Sequence, residues 1–173
     1  SHRRQANTSP ARSLRLMAVS RPSMAPEDMD DPGTIPFAQH LGFVVLKFAA
    51  GEAEIAIDLR TEQCNTWQVA HGGVTMTLLD VVMAHAARSP VPGQPRDERG
   101  VVTIEMKTSF LRPGQVRLIG RGKVLHRTSS MAFCEGSVIH ENGELVAHAS
   151  GTFKYMRGLP VGDRVVRRLN ASD

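Results

Sequence analysis

The sequence predicts an α+β protein, one antiparallel sheet of about six strands wrapped around a single long central helix. Three observations carry this. Residues 52–59 alternate strictly, with Ala53, Ile55, Ile57 and Leu59 on one side and Glu52, Glu54, Ala56 and Asp58 on the other, the period of a half-buried strand. Residues 74–87 are apolar nearly all round, broken only by Thr75, Thr77, Asp80 and His85; a helix of that kind lies inside a protein rather than on its surface. Four strand-like segments then follow in succession, parted by turn residues.

A chain of 173 residues with 41% hydrophobic and 22% charged side chains has the length of one domain and the composition of a globular protein. Ser1-His2 reads as a tag remnant. Residues 1–33 as a whole, rich in Arg, Ser, Pro and Asp without a period, read as a disordered arm; an acid-poor, Arg- and Ser-rich start is also the composition of a transit peptide. The domain spans 34–158. A short helical turn at 37–41 leads into a strand at 42–49, and Ala50-Gly51 turns the chain into 52–59, so the two strands make a hairpin. Residues 60–73 form a loop. The buried helix stops near Arg88-Ser89-Pro90, because proline cannot continue it. Residues 89–100 are a loop of Pro, Gly and charge. The strands at 101–112, 116–126, 130–140 and 145–155 are separated by Pro113-Gly114, Arg127-Thr128-Ser129 and Asn142-Gly143; Asn-Gly is a strong hairpin signal, and the four read as an antiparallel meander. Residues 159–173 read as an open, charged tail.

The net charge of +4 is unevenly placed. Residues 1–21 hold five arginines and no acid, whereas residues 22–158 hold 13 basic and 15 acidic side chains. Nucleic-acid binders carry their basic stripe on the domain, interleaved with aromatics; here aromatics are 5% and the body is slightly acidic, which argues against nucleic acid. No apolar run reaches the roughly 18 residues of a membrane span, so no membrane partner is expected. Cys64 and Cys134 cannot build a disulfide framework. With room for one bridge at most, they read as reduced thiols of a cytoplasmic protein.

One helical residue conflicts with its surroundings. Asp80 sits among Leu78, Leu79, Val81 and Val82, and an unpaired carboxylate there loses several kcal/mol of solvation. It is either compensated by a hydroxyl or histidine as a structural fixture, or it faces a cleft. At the entrance of the helix stands His71-Gly72-Gly73. Glycines admit turns closed to other residues, and the first N–H groups of a helix are unsatisfied and lie at the positive end of its dipole. Such a place suits a developing oxyanion, although a tight loop explains the same residues. Gly72 and Asp80 are eight residues apart, about 12 Å along the axis, too far for both to reach one carbonyl. If both serve one reaction, two helices across a two-fold axis must supply them, an isologous dimer with two sites.

The stretch from Asn65 through His71-Gly72-Gly73 to Asp80, with His-Gly-Gly six residues after the Asn, resembles the signature of hotdog-fold acyl-CoA thioesterases of the phenylacetic-acid-degradation type. The segment from Met106 to Gly114 resembles that family's third strand and following turn, and the segment from Leu145 to Phe153 its last strand. The likeness covers about residues 35–157. It implies an acyl-CoA substrate and a homo-oligomer, a dimer or a dimer of dimers, between which the sequence does not choose. Asp80 would be the general base or nucleophile, the Gly72 N–H the oxyanion donor, and the neighbouring Gly73 a substrate-binding residue. Asn65 would position water or carbonyl from the subunit of Gly72. Thr103 falls where related enzymes keep a water-orienting hydroxyl, beside Asp80 of the other subunit. His71 would brace the loop. Met76, Leu79 and Met83 would line the acyl pocket, and Arg127, Thr128 and Ser129 would meet the CoA phosphates; these six are otherwise core and a solvated turn.

Strand parity groups Val102, Ile104 and Met106 on one face and Thr103, Glu105 and Lys107 on the other. No metal-ligand spacing and no serine-hydrolase elbow is present, so no metal and no cofactor is expected, CoA being part of the substrate. Two other functions fit the same fold, a hydratase or dehydratase and a non-catalytic acyl-CoA sensor. The acyl group stays open among aryl-acetyl, hydroxybenzoyl and medium-chain fatty acyl.

Overall fold

The apolar segment at the centre of the sequence is the axle of the molecule. In the structure, a computed structural model that describes residue 33 and residues 35–167, it forms the helix α2, Gly72–Arg88, 17 residues long. It begins two residues earlier than its apolar pattern, because His71 caps it: the ring Nδ1 accepts a hydrogen bond from the Gly73 N–H at 2.9 Å. Leu78, Leu79, Val82, Met83 and Ala86 are fully buried.

A short helix α1 (Pro36–Leu41) precedes the strands β1 (Val44–Ala49) and β2 (Glu52–Asp58). After α2 come β3 (Gly100–Phe110), β4 (Arg117–Arg127), β5 (Met131–His140) and β6 (Leu145–Met156). These six strands form one antiparallel sheet in the order β1-β2-β4-β5-β6-β3. Its concave face closes on α2 with Ile55, Ile57, Leu118, Val138 and Phe153, all buried; each such side chain contributes about 1.5–3 kcal/mol of hydrophobic stabilisation.

The helix lies unusually close to the sheet. A Cβ on Gly122 of β4 would stand 2.4 Å from the Val82 carbonyl oxygen, so only glycine allows this approach.

Two expectations need correction. The four last strands are not one meander: β4, β5 and β6 follow each other, but β3 lies at the far edge against β6, and β4 pairs with β2 instead. The segment around Pro113-Gly114 is therefore a crossing rather than a hairpin turn. It is pinned on the way by Ala70 N–H to the Gly114 carbonyl (2.8 Å) and Leu59 N–H to the Val116 carbonyl (2.7 Å). Nor are residues 159–173 simply an open tail. Leu159–Val161 (β7) and Arg164–Val166 (β8) pair as a two-stranded hairpin. The other residues of the expected lead-in, Gly33 apart, lie outside those described, as do 168–173. No helix among the described residues is long and apolar enough to cross a membrane.

Candidate active site

Asp80 lies on the face of α2 turned toward the edge strand β3. Its side chain is half-buried, and the Thr103 hydroxyl donates to its Oδ1 at 2.6 Å. Both residues belong to one chain. The pairing overturns the parity expectation for β3. The register shifts between Thr103 and Glu105, so Thr103 faces Phe153 across the ladder while Glu105 faces Thr152. A β-bulge at Ile104 takes up the extra residue. Thr103 therefore shares the helix-facing side with Met106, Thr108 and Phe110, which stand opposite Gly151, Ala149 and Ala147, and its hydroxyl reaches the carboxylate.

The other end of the site is the start of α2. His71 Nδ1 accepts from the Gly73 N–H, so the Gly73 amide is already engaged. No acceptor among the described residues meets the Gly72 amide, which is left at the positive end of the helix dipole. The Phe110 ring of β3 lies against this corner, 3.6 Å from where a Cβ on Gly72 would stand. Sequence reasoning missed Phe110; the only signal was a large aromatic ending a strand in an aromatic-poor chain.

The loop before the helix is held from within. Asn65 Oδ1 accepts from the Trp67 N–H at 2.9 Å and, more weakly, from the Val69 N–H at 3.4 Å. The Asn65 backbone N–H bonds to the Val69 carbonyl, and the His71 N–H bonds to that of Gln63. The buried Gln63 side chain is in turn tied to the Leu41 carbonyl through Nε2. Asn65 thus spends its carbonyl on the turn.

The substrate-binding candidates divide. Met76 is exposed, but Leu79 and Met83 are sealed in the core. Met83 packs over Gly136 and Gly151, so within the protomer it fills space between helix and sheet rather than lining an opening. Arg127 is half-buried. Its Nη2 donates to the carbonyls of Ala86 (3.0 Å) and Ala87 (3.2 Å), satisfying the end of α2 where cations are favoured. The Thr128 hydroxyl accepts from the backbone N–H groups of Ser130 and Met131, and the Ser129 carbonyl accepts from Arg99 Nη1 at 2.6 Å. These residues form the turn between β4 and β5.

His85, the other polar residue deep in α2, has a different part. It is buried, bonds the Val81 carbonyl through Nδ1 at 2.9 Å and meets the Phe48 ring edge to face. Burial first, then the nearby Arg88 charge, push its pKa down to about 4, so the ring is neutral and structural. Burial also pushes the Cys134 thiol up to about 12, away from thiolate chemistry. Among the described residues no three His, Cys, Asp or Glu side chains are grouped to hold a metal ion.

What the arrangement can do is limited by distance. The carboxylate and the open amide lie eight residues apart on one rod, about 12 Å along its axis, so the two groups of one helix cannot meet at the same carbonyl.

Comparison with known proteins places this geometry in a family. The profile of the thioesterase superfamily matches residues 68–147, a span that includes His71, Gly72, Asp80 and Thr103 but not Asn65. A protein of Halobacterium salinarum, provisionally named an esterase, is 31% identical over 114 residues, 64% of this chain and 72% of that protein. Among solved structures, the conserved protein PA5202 of Pseudomonas aeruginosa is similar with a TM-score of 0.65 at 26% identity, covering 72% of this chain and 97% of that one. A single-substitution variant of the phenylacetic acid degradation protein PaaI from Thermus thermophilus is similar with a TM-score of 0.61 at 28% identity, covering 70% and 100%. The sheet curled around one helix is the hotdog fold, and the chain belongs to the thioesterase superfamily as a thioester hydrolase.

Proposed function

We propose that this protein hydrolyses acyl-CoA, with a small aromatic or medium-chain acyl group, to the free acid and CoA. The reaction takes place at two equivalent sites shared between the subunits of a homodimer. The observation that carries the reading is the pairing of Asp80 with Thr103 on an open sheet edge, about half the length of α2 away from an unengaged Gly72 amide.

In each site one subunit supplies Asp80 and Thr103 and the other supplies Gly72. The Gly72 N–H polarises the thioester carbonyl and stabilises the oxyanion as it forms. Asp80 takes the proton of an attacking water, and that proton leaves with the CoA sulfur when the tetrahedral intermediate collapses. In the alternative route its carboxylate attacks directly and water then opens the acyl-aspartyl anhydride. Single turnover in 18O-water separates the two, since only the anhydride route leaves label in Asp80. The Thr103 hydroxyl orients the carboxylate in both routes. The dimer draws support from β3: its outer edge pairs with no described strand and carries the exposed Ile104 and Phe110. An open edge of that kind is a template for pairing with a second copy.

The test is thiol release from a panel of acyl-CoAs. Asp80→Asn is expected to lose about 10²–10⁴-fold in kcat while acyl-CoA binding is largely kept. A wild type that binds acyl-CoA but releases thiol from none of the panel overturns the reading, as does an Asp80→Asn variant with full turnover.

A further inference from the structure

Two cavities adjoin at the far end of α2, away from Gly72. The nearer, about 300 Å³, is walled by Ala84, Val101, Val102, Met156, Leu159 and Val166 among others. Ala84 lies one turn beyond Asp80, and Val102 is next to Thr103 in the chain, so this largely apolar cavity, lined by neither Asp80 nor Thr103, begins about one helical turn from the carboxylate. The second, about 730 Å³, shares Arg157, Gly158 and Arg167 with the first and is lined further by Arg96, Asp97, Glu98 and Arg99. Four arginines thus face two carboxylates across a concave surface.

The cations are not all consumed locally. Asp97 holds Arg99 through bonds to Nε (3.0 Å) and Nη2 (2.7 Å), and Arg99 Nη1 is fixed to the Ser129 carbonyl. By contrast, no carboxylate among the described residues pairs with Arg157 or Arg167, whereas Arg60, Arg112 and Arg121 each have one and Arg117 has two. Surplus guanidinium charge gathered in a cleft attracts a polyanion, and the planar fork suits phosphate. The β7–β8 hairpin builds much of both walls: Leu159 and Val166 are a cross-strand pair and line the channel, while Val165 and Arg167 line the cleft.

Resting on the acyl-CoA reading above, we infer that this arginine cleft holds the phosphates of coenzyme A, and that the channel carries its pantetheine arm back to the thioester at Asp80. A thioester carbon at Asp80 needs an apolar exit for an extended arm and cations beyond it. The channel and the cleft supply these in that order, beside the last turn of the helix from Ala84 to Arg88. Arg127 lies apart from this cleft, with its Nη2 engaged by the carbonyls at the end of α2.

The test is calorimetric titration of the full chain with coenzyme A and with 3′,5′-ADP, beside steady-state kinetics on an acyl-CoA and the matching acyl-pantetheine, which lacks the nucleotide. In Arg157→Gln/Arg167→Gln, affinity for both nucleotides is expected to fall about tenfold or more, with a shallower dependence on salt. The KM for acyl-CoA should rise in step, well beyond any change in that for acyl-pantetheine, and Arg157→Lys/Arg167→Lys should recover most of the loss. If the double variant does not fold, the two single glutamine variants are read the same way. Unchanged nucleotide affinity, or an equal loss with acyl-pantetheine, overturns the inference. Nucleotide binding through these arginines with no hydrolysis of any acyl-CoA would sink the hydrolase reading and leave the cleft standing; hydrolysis indifferent to them would do the reverse.

Discussion

Asp80 and His85 interrupt the same apolar helix, yet they have opposite fates. Five residues separate them, about 140° around the axis. One therefore faces the open edge at β3 and keeps a hydroxyl partner, while the other is pressed into the core beside Phe48. The buried histidine makes a pH prediction. Its pKa is near 4 in the folded chain and about 6.5 when unfolded. The unfolded state therefore binds more protons between those values, and stability falls as pH drops from about 6.5 to 4, then levels below 4. The loss from this one group is on the order of 3 kcal/mol. Denaturant midpoints of wild type and His85→Leu at pH 7 and pH 4 should show it: the wild type loses more stability than the variant by about that amount, the titrating carboxylates being common to both. Equal losses would mean the ring is protonated in the fold. Both residues were visible in the sequence as polar breaks in an apolar run. Which of them stays accessible was not, because the answer depends on which strand covers each side of the helix.

At the scale of elements, the seat of α2 on the sheet depends on β4 having no side chain where the two cross. Gly122→Ala places a methyl carbon 2.4 Å from the Val82 carbonyl oxygen, backbone against backbone, so the helix must shift as a body. The expected cost is about 1–3 kcal/mol or more, read as a lowered midpoint in urea, whereas Gly143→Ala, with open space around its Cβ but a left-handed φ of 86°, should cost about 1 kcal/mol. A Gly122→Ala variant as stable as wild type would mean the helix is not seated this closely. The same crossing explains what sequence periodicity could and could not reach. Alternation located β2 and the buried rod because each side chain reports its own environment. The place of β3 in the sheet is set by which strands pair, and all the strands look alike locally, so a meander was the simplest reading and it failed. The bulge at Ile104 had no local signature, and one extra residue was enough to move Thr103 to the helix-facing side. Arg127 looked like a free surface cation because the end of α2, which it caps, lies some 40 residues away in the chain.

For the whole molecule the decisive question is whether each site is shared. The 12 Å between Gly72 and Asp80 along one helix requires two chains if both groups act on one carbonyl. Complementation between two crippled chains tests this. Gly72→Pro deletes the amide with little harm to the fold: Gly72 is the first residue of α2, where proline is favoured. His71 already has φ −59° and ψ 138°, a conformation that tolerates a following proline, and the nearest side-chain atom to the new Cβ is 3.6 Å away. Alone, this variant should lose about 10²–10³-fold in kcat, and Asp80→Asn alone should be comparably impaired. Refolded together in equal amounts, half of the dimers pair one variant with the other. Each such dimer has one site with an intact amide from the Asp80→Asn chain and an intact carboxylate from the Gly72→Pro chain, while its second site lacks both. Activity should therefore return to about a quarter of the wild-type level, from two proteins that are each inactive. Recovery at that level cannot arise from sites contained in single chains, since every chain in the mixture carries one of the two lesions. If mixed dimers form, as a mass difference between the two chains would reveal, and activity stays at the level of the parents, then the amide and the carboxylate do not meet across the two-fold axis.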